Sequence, residues 1–358
     1  MKEKLSYQKA GVNVKLADAT KRAMAKSLET TDKRVLNKIG AFATLFDGTF
    51  PEYQHPVLVL KTEEPGSKQK VAFQYNRISS ICYDMINHLI NDIVAMGSTP
   101  LAVQDAIICG KLEKEVVTQI VNSISKACRE QDCVLTGGET SEQPGIIEPG
   151  TYILTASIVG VVEKSKVIDG TKIRKGDLVL AVASNGPHTN GYSLIRALMA
   201  QKPEITKMQV GDETFLDAIL KPHKCYYQSF RELFDLQELH GIAHITGGGI
   251  EGNLNRILPE DMDAIIDLDQ IRVLPVFKVI RKMGNVEDAD MLQTFNMGVG
   301  MTIVAKETEI EKIRKHLLDK GCDSYVIGEI AKGEKKVVYR GKLDGSSRTK
   351  RHSVRSIA

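Results

Sequence analysis

Apolar residues along this 358-residue chain follow two rhythms, a helical one near 100° per residue and the short runs of strands. The clearest helical rhythm lies over 84–97, where Met85, Ile86, Leu89, Ile90, Ile93, Val94 and Met96 fall on one side. Asp84, His88, Asn91 and Asp92 fall on the other, which reads as a solvated polar face. The pattern also predicts a helix over 17–28, a turn at Asp47-Gly48, a strand over 56–60 and a helix over 114–128. A strand at 133–135, a glycine turn and a β-rich run over 152–162 follow. Near 170–176 the pattern restarts with a strand at 178–183, a loop at 184–191 and a helix at 192–200. Helices are then expected over 215–220, 225–236 and 307–318, with a loop at 247–249 opening another. Strands are expected near 263–266, 300–304, 324–327 and 336–339. Both halves mix helices with strands, so the fold class is α/β (α+β) in two domains, 1–170 and 171–340. A tail at 341–358 is expected to be disordered.

Composition narrows the class. With 42% hydrophobic and 26% charged residues, the chain is an ordinary globular protein. Its net charge is +3, yet residues 341–358 alone carry +4, so the rest sums to −1 and no nucleic-acid partner is expected. No apolar run is long enough to span a bilayer, and the first residues do not read as a signal peptide, so no membrane partner and a cytoplasmic location are expected. Cys82, Cys109, Cys128, Cys133, Cys225 and Cys322 are scattered without zinc spacing, which reads as reduced thiols and argues against a structural zinc site.

Candidate chemistry gathers where glycines meet polar residues beside strands: 63–68, 137–145, 184–191 and 246–253. Glycine can turn successive N–H groups toward one point, and a following helix adds its positive end, so each loop is either an anion cradle or a plain tight turn. Three adjacent glycines in Thr246-Gly-Gly-Gly249 favour phosphate there. Glu63, Asp92 and Glu139 can meet at sheet ends as hard oxygen ligands for magnesium and a nucleotide, although Asp92 also reads as part of a solvated helix face. Asp84 and Asp92 stand about 12 Å apart along a helix and cannot share one ion. His188 titrates near neutral pH and can serve as acid, base or phosphate donor, or be only a loop histidine. Lys68 offers a point charge to a phosphate or is solvated, and His244 reads as a packing or capping residue.

In order along the chain, these segments closely resemble the phosphoribosylformylglycinamidine cyclo-ligase family, the aminoimidazole ribonucleotide (AIR) synthetases. The resemblance rests on Tyr7-Gln-Lys-Ala-Gly-Val12, Asn91-Asp-Ile93, Asp105 with Gly110-Lys-Leu112, and Gly137-Gly-Glu-Thr140. It continues through Gly186-Pro-His-Thr-Asn-Gly-Tyr-Ser-Leu194, His244-Ile-Thr-Gly-Gly-Gly249 with Asn253, and Thr294-Phe-Asn-Met-Gly298, covering roughly residues 5–340. It implies a two-domain AIR-synthetase-like fold whose N-terminal strands form a shared barrel in a homodimer. It implies ATP-dependent ring closure of formylglycinamidine ribonucleotide to AIR in purine biosynthesis, through a phosphorylated amide, with ATP and Mg2+ as cofactors. Carried over by position, His188, Asp92 and Lys68 would be catalytic, and Glu63, Asp92 and Glu139 would hold the metal. Gly66, Ser67, Lys68, Asn91, Asp105, Gly137, Gly138 and Thr140 would bind ATP. Gly186, His188, Thr189, Asn190, Gly247, Gly248, Gly249 and Asn253 would bind the ribonucleotide.

One motif departs from the family pattern. Where relatives end a strand with Thr-Asp-Gly-Val-Gly-Thr-Lys, this chain has Thr62-Glu-Glu-Pro-Gly-Ser-Lys68. Glu64 cannot freely adopt glycine's positive φ, and Pro65 restricts the residue before it. Asn13 and His223 also depart, standing where the family has Asp and Thr. Two other readings are a superfamily paralogue acting on another substrate and a non-catalytic nucleotide-binding relative.

Overall fold

A computed structural model describes residues 14–37 and 40–343. The Tyr7–Val12 motif, Asn13 and residues 344–358 of the basic tail lie outside these residues. The first half contains α1 (Val14–Leu28), β1 (Pro56–Glu63), α2 (Lys68–Gln74), α3 (Ile78–Val94), β2 (Thr99–Cys109), α4 (Lys114–Arg129), β3 (Val134–Glu142) and β4 (Tyr152–Glu163). Its four-stranded sheet has the order β1-β4-β2-β3, with only β2 and β3 parallel. α3 packs on β1 and β4 and against α4. Ile81, Met85, Ile86, Leu89, Ile90 and Ile93 of α3 are fully buried, each worth about 1.5–3 kcal/mol of hydrophobic burial.

The second half contains β5 (Leu178–Ala183), α5 (Tyr192–Gln201), β6 (Gln209–Val210), β7 (Glu213–Thr214), α6 (Phe215–Leu220), α7 (Tyr227–Phe230), β8 (Leu239–His244) and α8 (Gly249–Leu254). β9 (Met262–Asp267), α9 (Pro275–Gly284), α10 (Asp288–Thr294), β10 (Val299–Ala305), α11 (Ile310–Asp319), β11 (Ser324–Lys332) and β12 (Val337–Arg340) complete it. A six-stranded sheet has the order β12-β9-β11-β5-β10-β8, in which only β12 runs parallel to its neighbour. β10 is buried at every position, as its two flanking strands require.

Several elements differ from their expected form. β2 was not anticipated, because Pro100 and Asp105 interrupt its apolar run. The strand accommodates Pro100 with a shift of register between Pro100 and Ala102. The glycine turn expected after 135 is instead strand, since β3 runs through Gly137 and Gly138. Gly138 allows a close approach, because a Cβ there would stand 2.2 Å from the Asp105 carbonyl oxygen. The helix expected over 225–236 shortens to α7 and a single 3-10 turn at Arg231–Leu233. β8, α9 and α10 were also unanticipated.

Candidate active site

The polar stripe of α3 is a buried seam rather than a solvated face. Asp84 and Asn91 are fully buried and His88 nearly so, because the segment between α6 and α7 lies along the stripe and bonds to it. Asn87 donates to the His223 carbonyl at 2.6 Å, and Asn91 donates to the Lys224 carbonyl at 2.8 Å. The Tyr226 amide donates back to Asn91 Oδ1 at 2.9 Å, and the His223 amide donates to Asp84 Oδ1 at 2.7 Å. The i, i+4 spacing that makes one helix face polar thus ties the two sheets' halves together.

Lys68 belongs to this seam. Fully buried, its ammonium donates to Asp84 Oδ1 at 2.8 Å, the His188 carbonyl at 2.9 Å and the Lys221 carbonyl at 2.7 Å. All three of its N–H donors are therefore engaged within the protein. Burial pushes the Asp84 carboxyl up to about 6, against the opposing pull of Lys68. Burial likewise lowers Lys68, with Asp84 opposing. With three acceptors around its nitrogen, Lys68 faces Asp84 in a buried pair with several added hydrogen bonds. In the variant loop before it, Glu64 is exposed and Pro65 buried, while the positive φ of +61° falls on Gly66. Glu64 therefore needs no glycine-like backbone in this chain.

Glu63 and Asp92 meet at the end of β1. The Lys61 ammonium bridges them, 2.8 Å from Glu63 Oε1 and 3.0 Å from Asp92 Oδ2. His88 Nε2 lies 3.9 Å from Glu63 and 3.8 Å from Asp92. Asp92 Oδ1 also accepts from His244 Nδ1 at 2.7 Å, which His244 reaches from the end of β8. Burial alone would raise Asp92, but the His244 hydrogen bond and the positive charge of its neighbours hold it well below the usual carboxylate range. Asp92 is an anion at physiological pH.

Loops from the second half close over this pair. Thr189 Oγ1 lies 3.0 Å from His88 Nδ1, and Asn190 lies against Gly247, whose Cβ would meet Asn190 Oδ1 at 3.1 Å. The Gly186 carbonyl accepts from Asn296 Nδ2 at 3.0 Å, fixing the start of that loop. His188 sits in the left-handed region at φ 60°, an uncommon place for a residue with a Cβ. Its ring stacks on His223 with centroids 3.8 Å apart, and His223 Nε2 lies 3.0 Å from His244 Nε2. Burial pushes both His188 and His223 well below the ordinary histidine range, so both rings are neutral.

Other expected site residues sit differently. The amides of Gly248 and Gly249 already donate to Gln293 and Thr246 carbonyls. Asn253 turns inward, donating to the Gly247 and Gly249 carbonyls at 3.1 and 2.8 Å. Gly249 has a packing reason as well: at φ +63° a Cβ would stand 1.8 Å from the Leu292 carbonyl oxygen. Ser67 caps α2 without a side-chain hydrogen bond. Across the first sheet, Glu63 registers with Ala156, then Asp105, then Gly138. Three strand spacings of about 4.8 Å put the β3 backbone at Gly137–Thr140 roughly 14 Å from Glu63. Within one chain, then, Glu139 does not join Glu63 and Asp92; its Oε1 accepts from the Thr140 amide. Sequence reasoning gave no role to Lys61, His88 or His223, and read His244 as a packing or capping residue. The signal available for His88 was its i, i+4 spacing to Asp84 and Asp92.

Asp105 lies in that row, buried against Gly138. Burial lifts its carboxyl to about 7, against about 3.9 in an unfolded chain. The folded chain thus binds this proton more tightly, and stability falls as pH rises from about 4 to 7. Asp105→Asn is expected to remove this slope and to raise stability at pH 8 by on the order of 3 kcal/mol. Urea unfolding at pH 5 and 8 measures it, and an unchanged slope would remove Asp105 as its source.

The chain, with a four-stranded sheet in its first half and a six-stranded sheet in its second, carries both domains of the AIR synthase related proteins. The family model described as AIR synthase related protein, N-terminal domain, matches residues 53–162, and the one for the C-terminal domain matches 174–341. The chain is 39% identical over 339 residues to a phosphoribosylformylglycinamidine cyclo-ligase of Alkaliphilus metalliredigens, covering 94% of this chain and 98% of that one. It is 38% identical over 327 residues to one of Nitrosococcus oceani, covering 91% of each. The chain belongs to the phosphoribosylformylglycinamidine cyclo-ligase family. Among solved structures, the hydrogenase maturation protein HypE in complex with ATP superposes with a TM-score of 0.67 at 16% identity over 93% of both chains. Thiamine-monophosphate kinase from Stenotrophomonas maltophilia gives 0.66 at 15% identity, over 93% of this chain and 98% of that one. These two share the fold.

Proposed function

We propose that this chain catalyses the ATP-dependent closure of formylglycinamidine ribonucleotide to AIR, releasing ADP and phosphate. The observation that carries it is the meeting of Glu63 and Asp92 with the His188-Thr189-Asn190 loop at one seam. The formyl oxygen takes the γ-phosphoryl group from ATP, and the amidine nitrogen then displaces that oxygen as phosphate. Such chemistry rests on position and charge neutralisation. His188, Thr189 and Asn190 face the substrate, and Asp92 fixes His244 at the mouth of the site.

Magnesium fits the carboxylate pair: the Lys61 ammonium lies between Glu63 and Asp92, where a hard cation would be drawn. When bound there, the ion would neutralise phosphate charge. Glu139, Asp105 and the Gly137–Thr140 stretch form a second patch toward the edge of the sheet opposite β1, and we assign ATP contact to it. β1 is an edge strand whose Leu58 and Leu60 are 54% and 72% exposed. An apolar edge of this kind supports homodimer formation through the N-terminal strands. Among the described residues, no helix is long and apolar enough to cross a membrane. Phosphorylated metabolites as substrates support a cytoplasmic location.

Purified protein given ATP, magnesium and formylglycinamidine ribonucleotide is expected to form AIR and ADP. ATP binding without either product would overturn the reading in favour of a nucleotide-binding relative. Product from another phosphoryl acceptor alone would favour a paralogue. Because Glu64 is exposed with an ordinary backbone, Glu64→Gly is expected to keep or raise ATP affinity. A tenfold weaker Kd by calorimetry would show that Glu64 contacts the nucleotide.

A further inference from the structure

We propose that His188, His223 and His244 form a binding site for a zinc-class divalent transition metal, distinct from the carboxylate pair that suits magnesium. The three residues are 2%, 1% and 6% exposed, and one nitrogen from each lies within 4.8 Å of the others. Two nitrogens bound at 2.0–2.1 Å in a tetrahedral zinc shell stand about 3.3 Å apart. His223 Nε2 and His244 Nε2 are 3.0 Å apart, joined by a hydrogen bond whose proton the metal would replace.

Second contacts orient two of the rings for ligation. His244 Nδ1 donates to Asp92 Oδ1 at 2.7 Å, which leaves Nε2 as the lone-pair nitrogen. A carboxylate behind a histidine in this way fixes the tautomer and raises the basicity of the ligand. His188 Nε2 pairs with Asn185 Oδ1 at 3.1 Å, so its proton resides there and Nδ1 carries the lone pair. That His188 Nδ1 is buried without a hydrogen-bond partner. A buried nitrogen without a partner destabilises the fold unless something satisfies it. His188 also holds a left-handed backbone at φ 60°, the kind of strain found at ligand clamps. Neutral imidazoles select zinc, copper, nickel or iron over magnesium, which prefers oxygen. Three protein nitrogens leave the fourth position of the shell to water.

The site stands whether or not ring closure is the reaction of this chain. The test uses the full-length protein stripped with chelator, then titrated with Zn2+ in millimolar Mg2+, and separately with Co2+. One Zn2+ per chain should bind, and Co2+ should develop the visible bands of a tetrahedral site. His223→Gln should weaken Zn2+ binding at least a hundredfold and remove the Co2+ bands. Asp92→Asn should weaken it about 10- to 100-fold, and His240→Gln, which alters a ring paired with Asp177, should change nothing. Zinc-edge X-ray absorption of the unmutated chain covers a variant that does not fold; it should show nitrogen neighbours at about 2.0–2.1 Å. Absence of stoichiometric binding, binding unaffected by His223→Gln, or an oxygen-only shell would each overturn the site.

Discussion

Asp92→Asn is expected to lower turnover about 10²- to 10³-fold, the scale on which removal of one aligned electrostatic group acts, with little loss of stability. Asparagine keeps an oxygen that can accept from His244 Nδ1, so the hydrogen bond at 2.7 Å survives. What disappears is the negative charge opposite Lys61 and beside Glu63. The neighbours that hold Asp92 well below the usual carboxylate range make that charge a modest contributor to stability, tempered by the 19% exposure of its side chain. Initial rates together with thermal unfolding separate the two effects. Near-normal turnover would take Asp92 out of the reacting site, and a large loss of stability would make its role structural.

The largest effect on stability is expected from Lys68→Met. This substitution leaves the Asp84 carboxylate buried without its cation, and breaking one side of such a pair costs about 3–5 kcal/mol. The sign of its pH dependence follows from Asp84, whose carboxyl stands at about 6 even with Lys68 beside it. Without Lys68 it moves higher, and below that value the buried group takes up a proton and loses its charge. The destabilisation should therefore be smaller at pH 5 than at pH 8. Adding Asp84→Asn should recover much of the loss, since an amide oxygen still accepts the His223 amide. Urea unfolding of the single and double variants at both pH values measures this. Equal losses at pH 5 and 8, with no recovery in the double variant, would rule out an uncompensated Asp84 charge.

Much of this organisation is legible in the order of residues, and what is not has a physical cause. β5 and α6 match their sequence-predicted bounds, because compact apolar runs end at clear turn signals. β2 was hidden by Pro100 and Asp105, which are tolerated only because bulged pairing and a neighbouring glycine make room for them. The stripe of α3 could be read as polar but not as buried, since residues 221–226 that cover it arrive from more than a hundred positions away. Separation along the chain also hid the histidine cluster, whose members come from three segments at 188, 223 and 244. Lys68 reads from its loop either as a point charge for a phosphate or as a solvated lysine. Only the fold reveals three protein acceptors around it. The glycines of 247–249 were read from entropy alone, whereas the packing of Gly249 on Leu292 gives a second reason for one of them.

The most direct measurement follows an isotope. With the formyl oxygen of the ribonucleotide labelled as 18O, one turnover should yield one AIR and one ADP, with the label in the released inorganic phosphate. Label released into water instead, or ADP formed without AIR, would contradict ring closure through a phosphorylated formyl oxygen.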